Sequence, residues 1–271
     1  IDMHNYPGPG MPQWEANRAA VLGEFGGLGL AVENHTWVDR TWGYRNLTGS
    51  GALTRRYCDL MRRLWELRDQ GLSAAVYTQT TDVETECNGL LTYDRAVIKV
   101  DVDIIAAAHH GNVPPPPQFI PVIPTAEATA ISWRYSFEKP AEGWEAPSFD
   151  AATWQEAPAG FGAGDMGDAI RTEWRTSDIW LRRSFTLERA DFNELALRIC
   201  HDEDAEIYIN GVLAATVGGY NMAYEDVEVR PAAQQALKVG QNVLAVHCRQ
   251  TRGGQFIDVG ISELEHQPAK D

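Results

Sequence analysis

Positive charge is scarce in this sequence. Its 271 residues carry 23 Lys plus Arg against 38 Asp plus Glu, a formal net charge of −15. Phosphate backbones and anionic lipid surfaces are held by clustered cations, so the balance argues against a nucleic-acid or membrane partner. Long apolar runs are also lacking. None reaches the roughly 18 residues of a spanning helix, and no basic-then-apolar signal segment opens the sequence. The four cysteines, at 58, 87, 200 and 248, form no CxxC pair and no zinc spacing. Buried free thiols are the expectation, and a Cys200–Cys248 bridge requires their strands to be neighbours. What is present is the ordinary material of a globular core: 44% hydrophobic and 23% charged residues. A chain of this length holds one large domain or two ordinary ones.

Residues 112–124 read Asn-Val-Pro-Pro-Pro-Pro-Gln-Phe-Ile-Pro-Val-Ile-Pro and hold six of the fourteen prolines. Consecutive prolines favour a stiff, extended segment without backbone donors. This predicts a domain over residues 1–111, a proline-rich linker over 112–125 and a second domain over 126–271. The first part has 10 basic and 14 acidic side chains, so most of the negative excess lies beyond it.

The first part reads as α/β. An apolar strand over 19–25 runs into Gly26-Gly27-Leu28-Gly29. Leu53, Tyr57, Leu60, Met61, Leu64 and Leu67 recur at helical spacing and predict a helix over 50–69, stopped by Gly71. A strand over 72–79 follows, then a helix over 94–109 packing Val97, Ile98, Ile104 and Ile105. Strand, helix, strand, helix is the order of a parallel sheet. A complete (β/α)8 barrel needs about 250 residues, so 111 cannot close one. The second part reads as all-β: apolar alternating runs at 132–137, 179–186, 194–200, 206–209, 212–217, 224–229, 242–247 and 256–263, with Asn210-Gly211 as a hairpin turn. That pattern predicts a β-sandwich of jelly-roll type, with Trp180, Leu181 and Phe185 facing its core.

Three polar constellations carry candidate chemistry. Asp2-Met3-His4-Asn5-Tyr6-Pro7 clusters polar groups where a short strand ends; His4 there is either hydrogen-bonded structure or a functional group. Gly23-Glu24-Phe25-Gly26 ends an apolar strand on a carboxylate. Ligands bind at the carboxyl ends of parallel strands, and a carboxylate there needs a task or a partner. Tyr77 to Glu86 follows the next strand with oxygen-rich side chains. Asp82, Glu84 and Glu86 are of the right type for a hard cation, but the spacing is not that of an EF-hand loop, so a solvated polar loop beside a cleft is expected.

Together these motifs resemble the last part of the catalytic barrel of glycoside hydrolase family 2, which includes β-galactosidases and β-glucuronidases. The resemblance covers about residues 1–111, with strands six, seven and eight at Asp2–Tyr6, Val21–Gly26 and Ala74–Gln79. It implies that Glu24 is the nucleophile of a retaining β-glycosidase and that Tyr6 hydrogen-bonds it. His4, Asn5, Tyr77 and Gln79 are then sugar contacts, although many relatives carry Trp where Tyr77 stands. The family's acid/base glutamate follows an asparagine on the fourth strand. The single Asn-Glu here, Asn193-Glu194, lies in the second part, so the chain is expected to be a C-terminal piece with little or no activity alone. No cofactor or metal is implied. A periplasmic or secreted location is; self-association through the open barrel edge is expected separately, because an open parallel sheet needs covering.

The second part has its own resemblance. Trp180-Leu181-Arg182-Arg183-Ser184-Phe185, then His201 to Gly211, then Gly240 to Val246 are similar to the galactose-binding-like jelly roll. This leaves a non-catalytic carbohydrate-binding module, or a structural fragment, as the alternative reading. Sugar faces stack on exposed rings, which makes Trp144, Trp154, Trp174, Tyr220 and Tyr224 candidates, with Arg171, Arg175 and Asp178 nearby. Gly160 to Asp168 is expected to be a flexible loop; it lacks the Gly-Lys-Ser/Thr ending of a phosphate loop.

Overall fold

The 20-residue helix and the strands flanking it follow from periodicity. In the computed structural model, which describes residues 1–47, 49–164, 166–221 and 223–266, the chain divides into two units built on Ile1–Pro116 and Pro117–Glu265. In unit 1, β1 (Asp2–Asn5), β2 (Ala20–Gly26), β3 (Leu28–Gly29) and β4 (Arg45–Asn46) precede α1 (Ser50–Asp69), β5 (Leu72–Thr78) and α2 (Val102–His109). Strands β1, β2 and β5 form a three-stranded sheet in the order β1-β2-β5, parallel throughout. One face of α1, with Leu53, Tyr57, Leu60, Met61 and Leu67, packs with Ala20, Leu22 and Phe25 of β2 into a single core. The sheet is open, and no barrel closes among the described residues.

The helix expected over 94–109 begins only at Val102. Asp101 caps it, accepting from the amides of Asp103 and Ile104 at 3.1 Å, which is how a carboxylate satisfies the free donors of a helix start. Upstream, Arg95 adopts φ 58° and Asp94 accepts from the Thr92 hydroxyl at 2.6 Å and the Ala96 amide at 3.1 Å. These contacts make a tight turn where the helix was expected.

Unit 2 is a β-sandwich. In chain order its strands are β6 (Gln118–Ile123), β7 (Ser132–Ser136), β8 (Gln155–Pro158), β9 (Phe161–Ala163), β10 (Thr172–Glu173), β11 (Asp178–Leu187), β12 (Leu195–Asp202), β13 (Asp204–Ile209), β14 (Val212–Val217), β15 (Glu225–Glu228), β16 (Gly240–Arg249) and β17 (Gln255–Glu265), with α3 (Pro231–Gln235) before β16. One six-stranded sheet runs β14-β13-β16-β11-β7-β8; the other runs β10-β9-β17-β12-β15 with β6 on β17. Alternate residues from both line one core: Ile207, Ile209, Leu244 and Val246 from the first, Leu195, Leu197, Ile199, Ile257 and Val259 from the second.

Several local expectations change here. Gln118–Ile123, within the proline-rich stretch, is an edge strand antiparallel to β17; Pro121 is tolerated because an edge strand has one unpaired side. The segment expected to be a flexible loop contains β9, whose Phe161 is wholly buried. Trp174 is also wholly buried, which removes it from the sugar-stacking candidates. Leu181 and Phe185 face the core as expected, whereas Trp180 lies outside it, stacked on His247 at 4.7 Å. All four cysteines are free and buried. Cys200 and Cys248 cannot pair: β12 and β16 belong to opposite sheets, and Cys200 alternates with core-facing Ile199 and so points away from the core.

Tyr224 is committed to structure too. Its hydroxyl donates to Asp258 at 2.6 Å, and the Ala126 amide donates to the same oxygen at 2.7 Å. The other oxygen of Asp258 is buried and unbonded, and burial pushes this carboxyl up. A carboxyl raised in the folded state penalises folding above its folded pKa and not below the unfolded value of about 3.9. Asp258→Asn keeps an acceptor for both donors. It is expected to raise the melting temperature of unit 2 at pH 8, with the gain over wild type shrinking towards zero by about pH 4. A gain independent of pH would mean that Asp258 is not the group responsible.

Candidate active site in unit 1

The parallel register sets His4 of β1 beside Glu24 of β2, both near the carboxyl ends of their strands. The Tyr6 hydroxyl donates to Glu24 Oε2 at 2.8 Å. His4 Nδ1 lies 3.3 Å from the same oxygen, and its Nε2 lies 3.4 Å from Asp2 Oδ2. The Glu24 side chain is 42% exposed and that of His4 53%, so the carboxylate is held from one side and open on the other. Polar contacts this exposed contribute little stability; their effect is positional. Burial raises the Tyr6 phenol to about 12, the hydrogen bond and charge of Glu24 add to it, and Thr78 pulls the other way. Tyr6 is therefore a protonated donor at neutral pH.

The aromatic surroundings come from a long loop. Tyr44 stacks on Tyr6 with centroids 4.0 Å apart and planes 4° apart, and Trp42 meets Tyr44 edge-on at 5.3 Å. Trp42 is fixed by its backbone: its amide donates to Thr85 O at 2.9 Å and its carbonyl accepts from the Cys87 amide at 2.8 Å. That second segment is anchored by a buried ion pair. Lys99 Nζ donates to Asp82 Oδ1 at 2.7 Å, to Leu30 O at 2.9 Å and to Cys87 O at 3.0 Å. Burial pushes Asp82 up and Lys99 down, and each partner offsets part of the other's shift.

The six residues singled out from sequence separate into two groups. Glu24, Tyr6 and His4 come together. Asn5 turns the other way: a Cβ on Gly10 would lie 2.5 Å from its amide nitrogen and 3.4 Å from the Met3 side chain. Tyr77 stands beneath Gly26, edge-on to Phe25 at 5.6 Å and Tyr57 at 4.7 Å, with its hydroxyl buried. Gln79 gives its amide to Asn88 at 2.7 Å, and Asn88 donates on to Glu86 at 2.8 Å. The acidic loop is thus a scaffold, and among the described residues no cluster of three or more His, Cys, Asp or Glu is arranged to hold a metal. Trp42 and Tyr44 escaped sequence reasoning. The signal available was the length of the irregular segment carrying them, since long structureless loops are commonly functional.

No family model matches the chain, and no curated protein matches it. Solved structures do, at low identity and over part of the chain. A β-glucuronidase from Bacteroides uniformis shares 17% identity over 54% of this chain and 18% of its own, with a TM-score of 0.38. A β-glycosidase from Bacteroides vulgatus shares 14% identity over 56% of this chain and 25% of its own, TM-score 0.34. A β-glucuronidase from an uncultured Clostridium sp. shares 13% identity over 55% and 29%, TM-score 0.35. The chain spans about a fifth of the length of the first of these.

Proposed function

We propose that unit 1 carries the nucleophile half of a retaining β-glycosidase site, with Glu24 attacking the anomeric carbon. In this reading β1, β2 and β5 are the last three strands of a (β/α)8 barrel, and unit 2 is a galactose-binding-like jelly roll. The observation that carries the proposal is the 2.8 Å hydrogen bond from Tyr6 to Glu24 at the carboxyl ends of adjacent parallel strands. It supplies what a carboxylate nucleophile needs: a fixed orientation, one oxygen held by a neutral donor, and an open approach for the sugar. A retaining enzyme also needs a second carboxyl about 5–5.5 Å away to protonate the leaving oxygen. The polar partners found within 4 Å of the Glu24 carboxylate among the described residues are the Tyr6 hydroxyl and His4 Nδ1, neither of them a carboxyl, so this chain by itself is expected to act only on substrates whose leaving group departs unprotonated.

That expectation defines the test. With 2,4-dinitrophenyl 2-deoxy-2-fluoro-β-glycosides of glucose, galactose and glucuronic acid, Glu24 attacks C1, the C1–O bond breaks, and its electron pair leaves with dinitrophenolate. The glycosyl ester that forms persists and is read by mass spectrometry on the Glu24 peptide. Labelling by at least one of the three is expected, with none in Glu24→Gln. Tyr6→Phe removes a hydrogen bond to a charged group, worth about 1.5–3 kcal/mol, and should slow labelling roughly ten- to hundredfold. No label from any of the three, or a label on another residue, would refute the proposal.

A further inference from the structure

Tyr44 is held more firmly than its exposure suggests. Its residue is 52% exposed, so burial alone gives the ring little reason to stay in one place. The chain is nevertheless anchored on both sides of it. Ahead of it, the Trp42 amide donates to Thr85 O and the Trp42 carbonyl accepts from the Cys87 amide. After it, Arg45 and Asn46 of β4 pair in parallel with Leu28 and Gly29 of β3, and the Leu47 amide donates to Gly29 O at 2.7 Å. Between these ties the Tyr44 side chain lies against Gly27. Gly27 adopts φ 68°, and a Cβ there would lie 2.5 Å from Tyr44 Cδ2 and 3.0 Å from its Cβ and Cγ. Glu24, the glycine that leaves room for Tyr44 and the strand that anchors it thus belong to one continuous run, 24–29.

What the anchored ring touches is Tyr6, stacked flat on it with centroids 4.0 Å apart and planes 4° apart. Stacked rings constrain a plane as well as a distance, and the plane matters for the hydrogen bond to Glu24. A phenolic O–H lies in the plane of its ring, because an oxygen lone pair is conjugated with the ring. The ring plane therefore sets where the proton points. Rotation about Cβ–Cγ would leave the Tyr6 oxygen in place and turn its proton away from Glu24 Oε2, and that torsion is broad when nothing constrains it. A swing about Cα–Cβ would carry the oxygen away as well. Tyr6 lies just past Asn5, the last residue of β1 paired to β2, so the ladder does not hold its ring. A flat partner at 4.0 Å resists both motions.

We propose that Tyr44 is a positioning residue: it holds the Tyr6 ring in the plane that aims its proton at Glu24, and it acts on the carboxylate only through Tyr6. The kinetic part of the test rests on the glycosidase reading above; the spectroscopic part does not. Rates are measured on the full chain, with the fluoroglycoside that labels it fastest, at a temperature where melts show each variant folded. Tyr44→Leu keeps apolar volume and removes the planar face. It should lower the limiting labelling rate about tenfold or more, the effect of losing a hydrogen bond to a charged group. The half-saturating probe concentration should stay within about threefold of wild type. Tyr44→Phe keeps the ring and should match wild type in both. Tyr44→Met, equally nonplanar, repeats the test if leucine is not tolerated. In the Tyr6→Phe background, Tyr44→Leu should change labelling less than about twofold, because the two residues share one path to Glu24. Additive losses would overturn the proposal. So would a raised half-saturating concentration at an unchanged limiting rate, which would make Tyr44 a sugar platform.

The second measurement needs no labelling. Tyrosine 13C-labelled at Cζ reports each of the nine tyrosines by NMR, and the resonance missing in Tyr6→Phe belongs to Tyr6. It should shift as acid protonates Glu24. His4 also faces this carboxylate and Asp2 faces His4, so Glu24→Gln, in which the step should vanish, assigns it. The step should persist in Tyr44→Phe and lose about half its size or more in Tyr44→Leu. If no probe labels wild type, the glycosidase reading falls and this step alone decides. A full-sized step in Tyr44→Leu, or none in wild type, would overturn the role given to Tyr44.

Discussion

Replacing Lys99 with methionine is expected to cost unit 1 about 3–5 kcal/mol, the usual penalty for breaking a buried ion pair by removing one partner. The side chains of Lys99 and Asp82 are 0% and 3% exposed. Methionine fills the volume of the lysine stem, so the loss is electrostatic and not a cavity. Asp82 Oδ1 would keep only the Gly89 amide, at 2.7 Å, while its Oδ2 is already buried without a bond. The Leu30 carbonyl loses the Lys99 donor at the same time, and the Cys87 carbonyl keeps only the Leu30 amide, at 2.8 Å. For a unit of this size each kcal/mol moves the melting temperature by about 4–8 °C, so a drop of upwards of about 10 °C should be visible in thermal melts followed by tryptophan fluorescence. The transition of unit 2 should stay where it is. Asp82→Asn combined with Lys99→Met removes the stranded charge and keeps an acceptor for Gly89, and should recover at least half of the loss. A double variant no more stable than Lys99→Met would show that the donors lost to Leu30 and Cys87, not the charge, carry the effect.

The same region marks where the sequence stops being legible. Helix α1 could be read because its apolar residues keep helical spacing and a glycine ends them. The long sandwich strands could be read because core and outer residues alternate. Residues 94–101 could not, because their burial runs against residue type: Ile98 is 55% exposed while Lys99 is 1% exposed. A pattern argument puts the isoleucine inside and the lysine outside, and only Asp82, 17 residues away, reverses that. β8, β9 and β10 are too short to show alternation, and proline in β6 hides a strand that is legitimate at an edge. At the site, the residues by themselves offered Glu24 and Tyr6 as separate signals 18 residues apart, and only the family resemblance paired them. Their contact depends on the parallel register of β1 and β2, and no local rule supplies a parallel register. Tyr44 is a tertiary partner of Tyr6 from a loop without periodicity, so no window of sequence contained the pair.

Gly26 is where the fold and the site constrain each other most directly, and Gly26→Ala is expected to destabilise unit 1 by roughly 2–6 kcal/mol. Two costs add. Gly26 adopts φ 109°, a conformation that costs a side chain of order 1–3 kcal/mol. A Cβ there would also lie 2.3 Å from Tyr77 Cε2, and overpacking of this kind typically costs a further 1–3 kcal/mol. The ring has little room to retreat, since Tyr57 and Phe25 meet it on other sides at 4.7 and 5.6 Å. The strain reaches the carboxylate as well. Gly26 follows Glu24 by two residues, and its amide donates to Pro7 O at 2.9 Å, tying the end of β2 to the chain just past Tyr6. Moving that tie should stretch the Tyr6–Glu24 hydrogen bond and slow labelling of Glu24 even at temperatures where the variant is folded. The two costs separate in a double-mutant cycle. Tyr77→Leu loses ring contacts by itself, but in the Gly26→Ala background it also relieves the overlap, so the double variant should lose clearly less stability than the sum of the singles. Additive losses would assign the whole penalty to the backbone conformation of Gly26 and none to the ring packed against it.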